Sequence, residues 1–170
     1  MQSATDFDAV YSENAGFVWR VLRGMGVTEL LVEDAVQDVF VVVYRRLPEF
    51  DGRHPVRTWI FAIAQRIAFD YRRRQQRAYS IVPLETQLRD HAPSPAETAE
   101  RAESMRIVFE LLEQLDDQKR AVFVLAEIEG MTAPEIAAAT GTGLNTVYTR
   151  LRRARLQLNQ ALANKQKLTP

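Results

Sequence analysis

The chain of 170 residues contains no cysteine, which excludes disulfides, thiolate metal sites and a cysteine nucleophile. Histidine is almost as scarce: His54 and His91 lie far apart, so neither a histidine-based metal site nor a Ser-His-Asp arrangement has much to build on. Gly and Pro number seven each, too few for a collagen-like or loop-dominated fold. No apolar run reaches the roughly 20 residues that span a bilayer. The stretch from Met1 to Asp8 lacks the basic start and apolar centre of a signal peptide. Net charge is missing as well: 22 basic and 22 acidic side chains cancel, and the pI is near 6.8. That balance argues against a chain coated with basic charge and made to grip any nucleic acid. These absences lead to the expectation of a soluble, cytoplasmic protein with no metal, no cofactor and no membrane insertion. What is present is ordinary globular material, 46% hydrophobic and 26% charged, enough for one domain or two small ones.

The cancelled charge is strongly segregated along the chain. Residues 1–50 carry 4 basic and 8 acidic side chains, a net of −4, and residues 51–80 carry 7 and 2, a net of +5. Residues 81–118 carry 3 and 9 (−6), and residues 119–147 carry 2 and 3 (−1). The final stretch, 148–170, holds 6 basic residues and no acid, a net of +6. A single charge run is usually a solvated helix face. Two basic blocks, each near the end of a half-chain, direct attention to the helices that carry them.

Apolar residues recur with helical period almost throughout. Phe7, Val10, Tyr11, Val18, Val21, Leu22 and Met25 form one face before Gly24 and Gly26 break the run. A second helix fits 28–47 around Val36, Val39, Phe40, Val43 and Leu47; its Val41-Val42-Val43 run is β-prone, but the charges around it repeat helically. Pro48 to Pro55 reads as a loop, and a third helix over 56–78 carries Trp59, Ile60, Ile63 and Ile67 inward. Residues 79–96 lose the period and gather Pro83, Pro93 and Pro95, the mark of a linker. Further helices fit 97–115, 117–129, 132–140 and 144–163. Asp116 suits the N-cap of the second of these, and Thr132-Ala133-Pro134-Glu135 matches a capping box with Pro in the first turn. The expected fold class is all-α: two small helical domains, 1–78 and 97–170, joined by the linker 79–96.

Helices 132–140 and 144–163 are separated by Gly141-Thr142-Gly143, a helix-turn-helix spacing that a packing corner would share. The second helix decides between them. At 100° per residue, Val147, Leu151, Ala154 and Leu158 share one narrow stripe, with Asn145, Thr149, Arg152 and Arg153 opposite, Thr146 and Tyr148 towards the flanks, and Arg150 and Arg155 bordering the stripe. Amides, hydroxyls and guanidinium groups at a helix N-terminal end suit base edges in a major groove, and arginines beyond them suit phosphates.

The N-terminal half offers two opposed surfaces. Glu33, Asp34, Gln37 and Asp38 make the 28–47 helix acidic outside, which suits a basic protein partner or plain solvation, and not DNA. In the following helix Arg66, Arg72, Arg73, Arg74 and Arg77 interleave with Phe69 and Tyr71, a pattern fit for phosphates and stacked bases. Trp59 lies among Ile60 and Ile63 and reads as core; Phe69 and Tyr71 fit either role.

Nearly the whole chain resembles a bacterial RNA polymerase sigma factor of the small extracytoplasmic-function group. The motifs run in order: Asp34-Ala35-Val36-Gln37-Asp38-Val39-Phe40, continuing through Tyr44-Arg45-Arg46-Leu47; Thr58-Trp59-Ile60-Phe61-Ala62-Ile63-Ala64, then Asp70 and Arg73. After the linker come Gln118-Lys119-Arg120-Ala121-Val122-Phe123, Glu129-Gly130-Met131-Thr132, Glu135-Ile136-Ala137 and Asn145 to Arg155. Any one is weak; together, in this order, they are specific. The sequence departs from the family pattern at Asp116, where proline is frequent, at Arg66, often Asn, and in the turn Gly141-Thr142-Gly143-Leu144-Asn145.

The resemblance implies an alternative-sigma promoter-specificity subunit with no catalytic chemistry of its own. Asp34, Gln37, Asp38, Val41 and Arg45 would dock on core RNA polymerase, which such factors meet through its clamp and flap regions. Arg53, Arg57, Arg66, Phe69, Arg73, Arg74 and Arg77, with the loop from Phe50 to Val56, would capture and open the −10 element of promoter DNA. Asn145, Thr146, Tyr148, Thr149, Arg150, Arg152 and Arg153 would read the −35 element as duplex. An anti-sigma factor is the expected regulator, served by apolar surface between the two halves. Two other readings are weighed against this one. A helix-turn-helix regulator of response-regulator type would need a receiver, and residues 1–78 are too short and too helical for an α/β one. An α-helical enzyme or ligand-binding bundle would need convergent polar groups on core faces.

Overall fold

The computed structural model describes residues 6–79 and 96–167, and every regular element among them is helical. The seven α-helices are α1 (Phe7–Gly24), α2 (Glu29–Arg46), α3 (Val56–Tyr79), α4 (Ala96–Leu112), α5 (Asp117–Phe123), α6 (Ala133–Thr140) and α7 (Leu144–Lys167). All of the linker except its two end residues lies outside the described residues.

Local chemistry explains the helix ends. Asp6 caps α1 by accepting from the Asp8 N–H at 3.2 Å, and Asp116, as expected, caps α5 by accepting from the Lys119 N–H at 2.9 Å. At the start of α6 the Thr132 hydroxyl and its N–H both donate to Glu135 at 2.7 Å, and these contacts hold the Glu135 carboxyl below its ordinary range. Gly141, at φ +64°, ends α6 in the left-handed region, and the Thr142 N–H closes back on the Ala137 carbonyl at 3.1 Å. The Val41-Val42-Val43 run is helical, because Val43 is buried while Val41 faces out, a helical and not an alternating division. The expected single helix over 117–129 instead changes pitch after Phe123: Val124–Ile128 is a π-helical turn, closed by the Glu129 N–H on the Val124 carbonyl at 3.1 Å.

Helices α1, α2 and α3 pack pairwise into one unit around Val18, Val21, Leu22, Val39, Val43, Ile60 and Phe61. Helices α5, α6 and α7 form the second around Val122, Leu125, Ile136, Val147 and Ala154. The apolar core runs from one unit into the other: α3 meets α6, and α1 meets both α4 and the π turn. Apolar surface between the halves is therefore largely covered by the chain itself, with Met25, Val27 and Val124 fully buried.

The inward faces are not wholly apolar. Asn14, Thr58 and Arg120 are buried as well. Asn14 donates its side-chain amide to the Val10 carbonyl at 2.8 Å, one turn back in its own helix. Arg120 bridges the two units, as described below.

Candidate nucleic-acid and polymerase interface

On α2, burial of Val32, Ala35, Val36, Val39, Phe40 and Val43 turns Asp34, Gln37, Asp38, Val41 and Arg45 outward. Their spacing of three, four, seven and eleven residues from Asp34 makes them one continuous exposed stripe. One member is tied to the neighbouring helix: the Tyr71 hydroxyl of α3 donates to Asp38 Oδ2 at 2.7 Å. Burial, then that hydrogen bond to a carboxylate, pushes the Tyr71 phenol up to about 12. Tyr71 is thus a buried brace and not a stacking platform.

On α3, Arg66, Arg73 and Arg77 fall within about 40° of one another at 100° per residue, and all three are exposed. Trp59 lies on the same side, half-buried, its ring 5.0 Å from that of Phe50 in the preceding loop. The expected core role of Trp59 is thus only half of its position. Phe69 is also half-buried, and Arg74 lies over the Tyr71 ring at 5.3 Å. Arg53 pairs with Asp51 at 3.1 Å, Arg73 with Asp70 at 2.6 Å, and Arg57 lies over the Phe17 ring at 5.3 Å. Arg66 and Arg77 have no hydrogen-bond or ion-pair partner among the described residues.

On α7, Val147 and Ala154 are fully buried with Leu151 and Leu158 packed beside them, the stripe expected from the sequence. Asn145, Thr146, Tyr148, Thr149, Arg152 and Arg153 are exposed on the remaining surface. The arginines divide into two groups. Arg150 is half-buried and donates to Gln118 at 2.8 Å, and Arg155 pairs with Glu127 at 2.8 Å, so both hold α7 to the helix behind it. Arg152 and Arg153 face water with no carboxylate in contact among the described residues.

Family comparison bears directly on these surfaces. The sigma-70 region 2 model matches residues 10–78, and the sigma-70 region 4 model matches residues 105–158. The chain belongs to the extracytoplasmic-function group of the sigma-70 family. It is 34% identical to RNA polymerase sigma factor CnrH of Cupriavidus metallidurans, over 82% of this chain and 78% of that protein. It is 30% identical to sigma factor NccH of Alcaligenes xylosoxydans xylosoxydans, over 85% of this chain and 80% of that one. To the ECF sigma factor SigX of Bacillus subtilis it is 30% identical, over 78% and 69%. Among solved structures, CnrH in complex with the cytosolic domain of CnrY superposes with a TM-score of 0.71 and 31% identity, covering 93% of this chain and 88% of that one. The Bartonella quintana sigma factor RpoE, solved with the anti-sigma factor NepR, shares the fold at a TM-score of 0.70 and 19% identity, over 97% and 99%. This sigma factor is accordingly an alternative promoter-specificity subunit of RNA polymerase. The α2 stripe and the α3 surface lie in region 2, and α7 lies in region 4.

Sequence reasoning missed the junction between the two regions. Arg20 of α1 donates to both oxygens of Glu129, at 2.7 and 2.9 Å, and the Glu129 side chain is 1% exposed. This contact raises the Arg20 guanidinium above its ordinary value. Arg72 of α3 is ion-paired with Asp117 of α5. Arg120, 4% exposed, donates to the carbonyls of Leu112 (2.9 Å), Leu115 (3.1 Å) and Met25 (3.1 Å), the last in the other unit. Burial first, and the Arg72 charge second, lower the Arg120 guanidinium. Gly26, at φ +95°, makes room: a Cβ there would stand 2.8 Å from Arg120 Nη1 and 3.3 Å from Arg72. One signal was available, since Arg120 sits four residues before Val124, in line with the buried apolar residue that opens the π turn.

Proposed function

We propose that the exposed α2 stripe from Asp34 to Arg45 docks on core RNA polymerase, through its clamp, and that region 4 reaches the flap. Arg66 and Arg77, together with Arg73 and the ring of Phe69, take the phosphates and unstacked bases of the −10 strand, while Arg53 and Arg57 flank the loop that receives it. Asn145, Thr146, Tyr148 and Thr149 read the −35 element at base edges, and Arg152 and Arg153 hold its phosphates. Arg150, tied to Gln118, serves chiefly to seat the helix. The chain carries no catalysis of its own, and RNA synthesis belongs to core polymerase. An anti-sigma factor holds it inactive; both structural neighbours were solved in complex with a second protein. The cytoplasm is where polymerase works, and among the described residues no helix is long and apolar enough to cross a membrane.

The observation that carries this reading is the division of α7, buried at Val147 and Ala154 and bearing exposed amide, hydroxyl and guanidinium groups opposite. Adding the purified protein to core polymerase is expected to start run-off transcripts at defined promoters in a genomic template. Failure to stimulate initiation on any template would overturn it.

A further inference from the structure

Three consecutive arginines of α3 have three different partners. Arg72 is ion-paired with Asp117, Arg73 pairs with Asp70 at 2.6 Å, and Arg74 lies over the Tyr71 ring at 5.3 Å. An arginine held by a carboxylate must give up that partner before it grips a phosphate. Arg74 is exposed, and among the described residues no carboxylate pairs with it. A guanidinium within about 6 Å of a ring centroid is attracted to the negative face of the ring, and that contact leaves its N–H donors for phosphate oxygens.

The ring beneath Arg74 is itself fixed. Tyr71 is 8% exposed, and its hydroxyl donates to Asp38 Oδ2 of α2 at 2.7 Å. Burial, the Asp38 hydrogen bond and the charges of Asp38 and Asp34 all raise the phenol, and the Arg74 charge lowers it. The acidic stripe of α2 and the basic surface of α3 therefore meet at this side chain. Arg74 stands about 80° round α3 from Arg66, on the side of Tyr71 and so towards α2. A strand that follows Arg66, Arg73 and Arg77 has the carboxylates of Asp34 and Asp38 beyond that edge, with Arg74 between. An arginine loose in solvent loses rotamer freedom when it grips a phosphate, and one already seated loses less.

We infer that Tyr71 is a positioning residue: its ring, pinned to α2 through the hydroxyl, seats Arg74 as a phosphate contact for the −10 strand at the border of the polymerase-docking stripe. The inference rests on the promoter reading above and adds Tyr71 to the groups that serve the strand.

Ring fluorination tests it, because fluorine drains the negative face while nearly keeping the shape. Two holoenzymes are compared, each of core polymerase with the full chain: one carries Tyr71→Phe, the other the same phenyl ring with three fluorines. The probe is a single-stranded oligonucleotide with the −10 element of a promoter that the native holoenzyme transcribes. The fluorinated ring is expected to weaken binding about threefold against the plain one, with the salt slope unchanged because the phosphate contact still forms. Arg74→Ala should weaken binding at least fivefold and flatten the slope by about 0.7, the loss of one phosphate on a single strand. With alanine at position 74 the two rings should bind alike. Equal affinities of the two rings beside Arg74 overturn the inference, and so does an undiminished difference beside alanine. A Tyr71 that only packs would separate the two rings in urea unfolding and not in strand affinity, which also overturns it. If the native holoenzyme holds the strand no better than core polymerase alone, the promoter reading fails and the inference falls with it.

Discussion

Arg20 and Glu129 stand 109 positions apart in the sequence, yet their side chains meet in a two-pronged ion pair whose acid is buried and whose base is 39% exposed. That asymmetry makes the two halves of the pair unequal. Arg20→Ala strips the partner from a buried carboxylate, whereas Glu129→Gln leaves a guanidinium that water still reaches. Loss of one partner of a buried pair is strongly destabilising, but the exposed side of this pair is screened. Arg20→Ala is expected to cost about 2 kcal/mol and Glu129→Gln about 1 kcal/mol. Urea unfolding of the two variants measures the order, and a Glu129→Gln loss equal to or above that of Arg20→Ala contradicts it.

Arg120 depends on shape as well as charge. Its three hydrogen bonds leave from Nε and both terminal nitrogens, and each ends on a different carbonyl. Lysine keeps the charge but offers one nitrogen on a flexible stem, so Arg120→Lys leaves at least one buried carbonyl unpaired. A loss of about 2–3 kcal/mol follows, which in a chain of this size lowers Tm by roughly 5–10 °C. Calorimetry of Arg120→Lys beside Arg120→Ala is the measurement, and a lysine variant that melts with the native protein would show that charge alone suffices.

The contrast between these arginines and the helices explains what could be read from the chain. Helix α2 was legible because its periodic apolar stripe and its charges fall on opposite faces, and the Asp116 cap and Gly141 break are local events within a few residues. The same held for α7, whose buried Val147 and Ala154 dictate what lies opposite. The π turn at Val124–Ile128 was not legible, since nothing in those side chains forbids an ordinary helix. Nor was the junction: Met25 meets Arg120, and Gly24 meets Val124, through distances in sequence that no periodicity encodes. Among the arginines of α7, helical spacing already set Arg150 at the border of the apolar stripe and Arg152 opposite it, but only the position of Gln118 supplies the partner of Arg150.

The Tyr71–Asp38 hydrogen bond predicts a pH dependence. The phenol is raised from 10.0 to about 12 in the folded protein, so folding favours the neutral form. Stability from this group is complete below about pH 10 and is lost as pH rises from there towards 12. Tyr71→Phe should cost about 1–2 kcal/mol at neutral pH and remove that alkaline decline. Denaturation profiles from pH 9 upward test the sign: an equally steep decline in the variant would assign the loss to other groups.

Asp34 offers the cleaner probe of polymerase docking. It shares the exposed stripe with Asp38 but carries no hydrogen bond to α3, whereas Asp38 braces Tyr71. Asp34→Lys is expected to leave the melting temperature within about 2 °C of the native value, as surface changes usually do, and to weaken co-purification with core polymerase at least fivefold. Undiminished co-purification would reduce the stripe to a solvated face.

Salt dependence separates the arginines of α7. Each phosphate neutralised adds close to one unit to the slope of log affinity against log salt, because a condensed counterion leaves with it. Arg152 and Arg153 are exposed and unpaired among the described residues, so each Arg→Ala change should weaken promoter binding on all sequences alike and flatten the slope by about one. Arg150 already donates to Gln118, and Arg155 already pairs with Glu127. Alanine at either should leave the slope nearly unchanged while lowering stability by under about 1 kcal/mol. The measurement is a titration of a −35 duplex with the polymerase holoenzyme from about 50 to 200 mM salt. If Arg150→Ala flattens the slope as much as Arg152→Ala does, the Gln118 contact gives way on the duplex, and the back of α7 belongs to the phosphate-binding surface as well.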